Sequence, residues 1–280
     1  MLSILRTGLM VIALALSLAM ATSTVSAANV TIGTPLVDIW NSAVNPLYGY
    51  RPTASAFGSG GDPTLEDLFV TQLLIFDSTS AAAAGQGASN YVIQSATVTL
   101  VRDPSTSYVY DPTFDPLSVY TSGAADDPGS PMELYGSGFR SGVTANNYVE
   151  GTAQNPGTPW GLPAPPFSKG VRLAFPTDGL GGTTRDISSH VQDNSAVVPF
   201  AVGTVPGLSA GDLVTGPGVM NFDLQLSPDV IGYLQKGLDD GRLAFHVASH
   251  LNPGGGALAA FPSFFNKESG QGSASLTLNV

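Results

Sequence analysis

The run Gln94–Arg102, QSATVTLVR, sets Ala96, Val98 and Leu100 on one side of an extended backbone and Thr97 and Thr99 on the other. Side chains of a strand alternate between faces with a period of two, so this is a half-buried β-strand with one oily and one wet face. The same rhythm returns in Val219–Ser227, where Phe222, Leu224 and Leu226 alternate with Asn221, Asp223 and Gln225. Leu243, Phe245 and Val247 alternate with Ala244, His246 and Ala248, and Leu276, Leu278 and Val280 with Ser275, Thr277 and Asn279. Segments with one apolar face each must cover one another, which predicts an all-β, antiparallel β-sandwich. Further strands are expected over Phe69–Phe76, Pro116–Thr121, Val171–Phe175 and Ala196–Val202.

Composition agrees with that pattern. Only 11% of the residues are charged, and 33 glycines and 21 prolines interrupt the chain at short intervals, which stops long helices and favours strands joined by turns. One short helix near the C-terminus is the exception. Ser227 suits its N-cap, Pro228 its first position and Asp229 the positive end of its dipole; Ile231, Leu234 and Leu238 then recur at helical spacing up to Gly241. The stretches Ala81–Asn90, Ala124–Pro131 and Gln154–Pro166, rich in Ala/Gly, Asp/Pro and Pro, read as surface loops.

At the start of the chain, Arg6 is followed by an apolar stretch from Leu9 to Met20 and a small, polar run ending in Val25-Ser26-Ala27. This is the layout of a secretory signal peptide over residues 1–27. Its apolar part falls short of the roughly twenty residues a helix needs to cross a bilayer. The expectation is therefore a protein secreted to the extracellular space or cell surface, or to the periplasm, with no membrane span after leader cleavage. Residues 28–280 are then expected to form a single β-sandwich domain. Cysteine is absent, so stability must come from core burial, with or without bound ions, rather than from disulfides.

Ten basic residues stand against 21 acidic ones, and Arg6 belongs to the leader, so the mature chain is strongly acidic. Such a surface repels phosphate backbones and anionic lipids, which sets nucleic acid aside as a partner.

Few motifs for chemistry emerge. His246 and His250 would share a metal on a helix, but four residues along a strand separate side chains by roughly 13 Å. His190 has no evident partner in sequence. The G-x-S-x-G run Gly207–Gly211 is not a nucleophile elbow, because no helix is expected to follow it, and the glycines at Gly179, Gly181 and Gly182 lack the strand and helix that a phosphate cradle needs. Asp103, Asp111 and Asp115, together with Asp126 and Asp127, fall in predicted loops, mostly beside Pro or Gly, where Asp forms turns. Their hard oxygens would equally suit a structural calcium ion, with Asp103, Asp111 and Asp115 as ligands. A pair of carboxylates could also supply acid and base for glycoside cleavage.

Aromatic residues point to a binding role. Trp160 lies in the Pro-rich NPGTPWGLPAPPF, and Tyr48, Tyr50, Tyr108 and Tyr110 lie in polar loop or edge segments. Flat rings beside polar groups hold sugar rings by apolar contact plus hydrogen bonds, so Trp160, Tyr108 and Tyr110 are the expected stacking platforms. Equally, Trp160 could plug one end of the sandwich.

The stretch DVIGYLQKGLDDGRLAFHVAS, followed by FPSFFNKESGQGSASLTLNV, resembles the closing portion of DNRLRE-type modules, which are themselves similar to carbohydrate-binding jelly rolls of secreted bacterial proteins. In that pattern a short helix precedes a strand, another strand carries a basic-acidic pair, here Lys267-Glu268, and an alternating strand closes the chain. LLIFDSTSAAAAGQGASNYVIQSATVTLVRD is similar to the family's early strands, with Ile75 where arginine is usual. MELYGSGFRSGVTANNYVEG is similar to a stretch of uncharacterised secreted bacterial proteins. The resemblance implies a jelly-roll-like sandwich and a polysaccharide or cell-surface glycan as partner. Two other readings stay open: a structural surface or matrix protein without a small ligand, and a polysaccharide lyase or hydrolase on the same scaffold.

Overall fold

A computed structural model describes residues 29–42, 51–123, 127–150, 172–180, 185–253 and 261–280. Within them the strands are β1 (Asn29–Ile32), β2 (Val37–Ser42), β3 (Thr53–Ser55), β4 (Val70–Asp77), β5 (Ser95–Val101), β6 (Tyr108–Val109), β7 (Glu133–Phe139), β8 (Ala174–Thr177), β9 (Ala201–Val202), β10 (Leu213–Val214), β11 (Val219–Asp223), β12 (Arg242–Ala248), β13 (Ser263–Phe265) and β14 (Ser275–Asn279). Two α-helices accompany them, α1 (Leu117–Ser122) and α2 (Pro228–Asp240). All pairings are antiparallel. None of the described helices is long and apolar enough to cross a membrane.

The expected sandwich is present. One sheet runs β1-β14-β5-β11, and the other runs β2-β4-β12-β7-β8, with β9 also paired to β7. Alternation in β5 works as read: Ala96, Val98 and Leu100 are buried, while Thr97 and Thr99 are half-buried. Those residues, with Met220, Phe222, Leu276 and Leu278, meet Leu74, Phe76, Leu134, Phe245 and Val247 of the larger sheet in one core. Each large apolar side chain buried there contributes roughly 1.5–3 kcal/mol.

Helix α2 starts where its caps predict. The Ser227 hydroxyl accepts from the Val230 N–H at 3.3 Å, and Gly241 ends the helix in the left-handed region at φ 79°. Val230, Tyr233, Leu234 and Leu238 face the same core.

Two expectations are corrected. Pro116–Thr121 was expected to be a strand but its residues lie in α1: Pro116 sits outside the first turn and Gly123 closes the last at φ 67°, so the caps override β-leaning residues such as Val119 and Tyr120. Lys267-Glu268 lies not in a strand but in a single 3-10 turn after β13.

The larger sheet is covered on its other face as well. There Asn41, Thr71, Glu133, Tyr135, Ser137, Arg172 and His246 are all buried. Ile187 and Val197 pack on Tyr135 and Ala248, and Ser188 accepts a backbone hydrogen bond from Leu68 at 2.9 Å. A wholly buried polar face demands that its hydrogen-bonding groups find partners, and these groupings hold the chemistry of the molecule.

Candidate functional site

Strands β2, β7 and β12 bring Asn41, Ser137 and His246 together. Ser137 Oγ lies 2.8 Å from His246 Nδ1, and Asn41 Nδ2 lies 2.7 Å from His246 Nε2. The set has the composition of a nucleophilic triad, yet its protons run the wrong way. Asn41 Nδ2 also donates to the Ala174 carbonyl at 3.0 Å, which fixes the amide orientation. Nε2 must then accept, Nδ1 must hold the proton, and that N–H donates to Ser137 Oγ. A base has to receive the serine proton, whereas here the ring supplies one. Burial, with the Arg172 charge added, holds the His246 pKa well below the usual histidine range. Arg172 is itself fully buried, paired with Glu66 and donating to the carbonyls of Asn41 and Leu68. The trio is a proton-ordered tie across the sheet.

Towards one end of the same face lies a titratable cluster. Tyr120 Oη donates to Glu133 Oε1 at 3.1 Å and Tyr135 Oη to Glu133 Oε2 at 2.9 Å. Burial pushes the Glu133 carboxyl up to about 8; the two tyrosines pull it down, and the nearby Asp115 and Asp111 push it up. The Tyr120 ring lies 4.1 Å from the His250 ring, centroid to centroid, and His250 lies 4.8 Å from His190. Both imidazoles are held below their ordinary pKa by burial. His190 Nδ1 faces the Ile187 carbonyl at 3.1 Å, so that nitrogen carries the proton. His190 thus has partners that its sequence surroundings did not reveal. His246 and His250 belong to separate groupings, as strand geometry requires.

Asp111, Asp115 and Asp127 form a third grouping, each offering a carboxylate oxygen within 4.8 Å of the others'. Asp111 follows β6, Asp115 precedes α1, and Asp127 starts a turn through Gly129. Gly129 has φ 110°, and a Cβ there would stand 2.9 Å from the Tyr110 carbonyl oxygen. Only glycine allows this approach of the turn to residues 109–111. Asp103, expected with Asp111 and Asp115, lies outside the set. Its Oδ1 accepts from the Ser105 N–H at 2.9 Å, the turn-forming role of Asp. Asp127 takes its place, and Asp126 lies outside the described residues.

The tyrosine platforms are corrected too. Tyr108 and Tyr110 are 6% and 2% exposed and belong to the main core. β6 pairs with β10, so alternation turns both tyrosines inward and Val109, 39% exposed, outward. Tyr110 Oη accepts from the Val205 N–H at 2.8 Å. Trp160, Tyr48 and Tyr50 lie outside the described residues.

A pocket of about 210 Å³ opens between α2 and strands β7 and β12. The half-buried Phe139 ring and Tyr233 give it apolar walls, Ser137 lies at its lining, and Lys236, Asp240 and Arg242 supply charge. Tyr233 is held in place by the Ser137 N–H, which donates to its Oη at 2.8 Å. Lys236 pairs with Asp240 at 2.6 Å, and Arg242 with Asp77 at 2.8 Å. Sequence reading missed this site because its walls come from segments about a hundred residues apart.

Compared with known proteins, the chain matches no family model and no curated protein.

Proposed function

We propose that this is an exported, non-catalytic β-sandwich protein that binds a glycan, with a single sugar unit seated in the pocket between α2 and β7. The observation that carries the reading is the pairing of the Phe139 ring with the charged, hydrogen-bonding groups of Asp240, Lys236 and Arg242. Sugars present an apolar ring face and a rim of hydroxyls, and this lining offers a partner to each. At about 210 Å³ the pocket is smaller than sites for drug-sized ligands, which suits a chain end better than an extended polysaccharide. The leader-like residues 1–27 and the acidic composition support export.

Calorimetric titration against a panel of oligosaccharides tests the reading. Binding is expected for at least one terminal sugar, with loss of about tenfold or more in Phe139→Ala, as removal of an aromatic anchor implies. Silence across the panel would refute it. That outcome would favour the second reading, a structural surface or matrix protein, for which the burial of Tyr108 and Tyr110 already speaks.

A further inference from the structure

We propose that Asp111, Asp115 and Asp127 form a calcium site that ties the β6–α1 segment to the turn at residues 127–129. This is independent of the glycan reading. Three carboxylates converge with ligand oxygens within 4.8 Å of one another, and among the described residues neither Asp111 nor Asp127 forms an ion pair. A second observation singles out a cation. Asp111 is 2% exposed, its Oδ1 accepts from the Thr113 N–H and hydroxyl, and its Oδ2 is buried with no hydrogen-bond partner. A buried carboxylate oxygen without a donor is costly, and a metal ion is the partner that satisfies it without one.

Thr113 makes the same demand. Its hydroxyl lies 2.6 Å from Asp111 Oδ1 and 3.0 Å from Asp127 Oδ2, yet it has one proton to give. One of those contacts therefore sets lone pair against lone pair unless a cation, or a proton held by one of the carboxyls, lies beside them.

The donor set is all hard oxygen: two carboxylates from the loop between β6 and α1, one from the turn at residues 127–129, plus the Thr113 hydroxyl. Calcium accepts six to eight such ligands at flexible angles, whereas magnesium demands a compact octahedron and gives up its water reluctantly. In the other acidic grouping, Asp38, Glu150 and Glu268, Lys267 Nζ sits among the carboxylates, 2.6 Å from Glu150 and 3.5 Å from Asp38.

The test is calorimetry and thermal melting of the full protein after chelator treatment, titrated with calcium chloride. The expected result is saturable binding at one site, with a Kd on the order of 0.1–1 mM, the range of extracellular calcium modules, and a rise in melting temperature. Asp127→Asn should weaken binding at least about tenfold, because the ligand charge count sets affinity. Asp103→Asn should leave it unchanged. No binding to the parent protein, a calcium response that Asp127→Asn leaves intact, or an equal response to magnesium would each overturn the assignment.

Discussion

Glu133 is 1% exposed, accepts hydrogen bonds from two tyrosines, and has its carboxyl pushed from 4.5 up to about 8. At neutral pH the folded protein therefore holds a proton that the unfolded chain has released. The unfolded state binds fewer protons across that window, so this group's contribution falls as pH rises from about 4.5 and is fully lost above about 8. Each step of one pH between those two values costs about 1.4 kcal/mol, so the burden is about 3 kcal/mol at pH 7 and about 4 kcal/mol at pH 8. Glu133→Gln copies the protonated acid: its amide donates to one tyrosine oxygen and accepts from the other, and it does not titrate. Urea unfolding of parent and variant from pH 5 to pH 8 measures the difference. The two should agree within about 1 kcal/mol at pH 5, and the variant should gain about 3–4 kcal/mol by pH 8. Asp38, raised to about 7 by burial, adds a slope of the same sign, but it is common to both proteins and cancels. Parallel stability curves for parent and variant would refute the reasoning.

Ser137→Ala leaves the His246 Nδ1–H without its acceptor in a dry site and should cost about 1–3 kcal/mol by denaturant midpoint; a serine-directed phosphonate probe should leave the parent's Ser137 unlabelled, and labelling there would contradict the proton assignment. Gly136→Ala would place a methyl 2.8 Å from the Tyr233 ring and 3.0 Å from that of Phe200, lowering stability by about 1–3 kcal/mol in thermal melts. Arg172→Met strands the buried Glu66 carboxylate and should cost about 3–5 kcal/mol, part of which Glu66→Gln in the same chain should restore.

Much of the scaffold could be read residue by residue. Alternation in β5, β11, β12 and β14 gave the right faces, and Ser227, Pro228 and Gly241 marked α2. The error at Pro116–Thr121 came from weighing side-chain preference above the Pro and Gly that bracket it. Tyr108 and Tyr110 were misplaced for a related reason: polar neighbours suggested a surface, although their spacing of two already put both rings on one face. That spacing of two carries the same signal of a shared buried face as Val98 and Leu100 do. Asp127 stood in sequence among the loop carboxylates suited to calcium, but its place beside Asp111, in preference to Asp103, depends on the Gly129 turn folding back on residues 109–111. The contact between the His190 and His250 rings joins positions distant in sequence and has no local signal.

The chain's own order of residues determined the layered, antiparallel architecture, because which way a side chain points along an extended backbone is a local property repeated every second residue. Which groups share a proton, an ion pair or a cation site was decided only by tertiary structure. Pairing His246 with Tyr135 and Asn41 with Thr71 sets the register of strands distant in sequence, and a slip of one residue would turn every one of those polar groups to the opposite face.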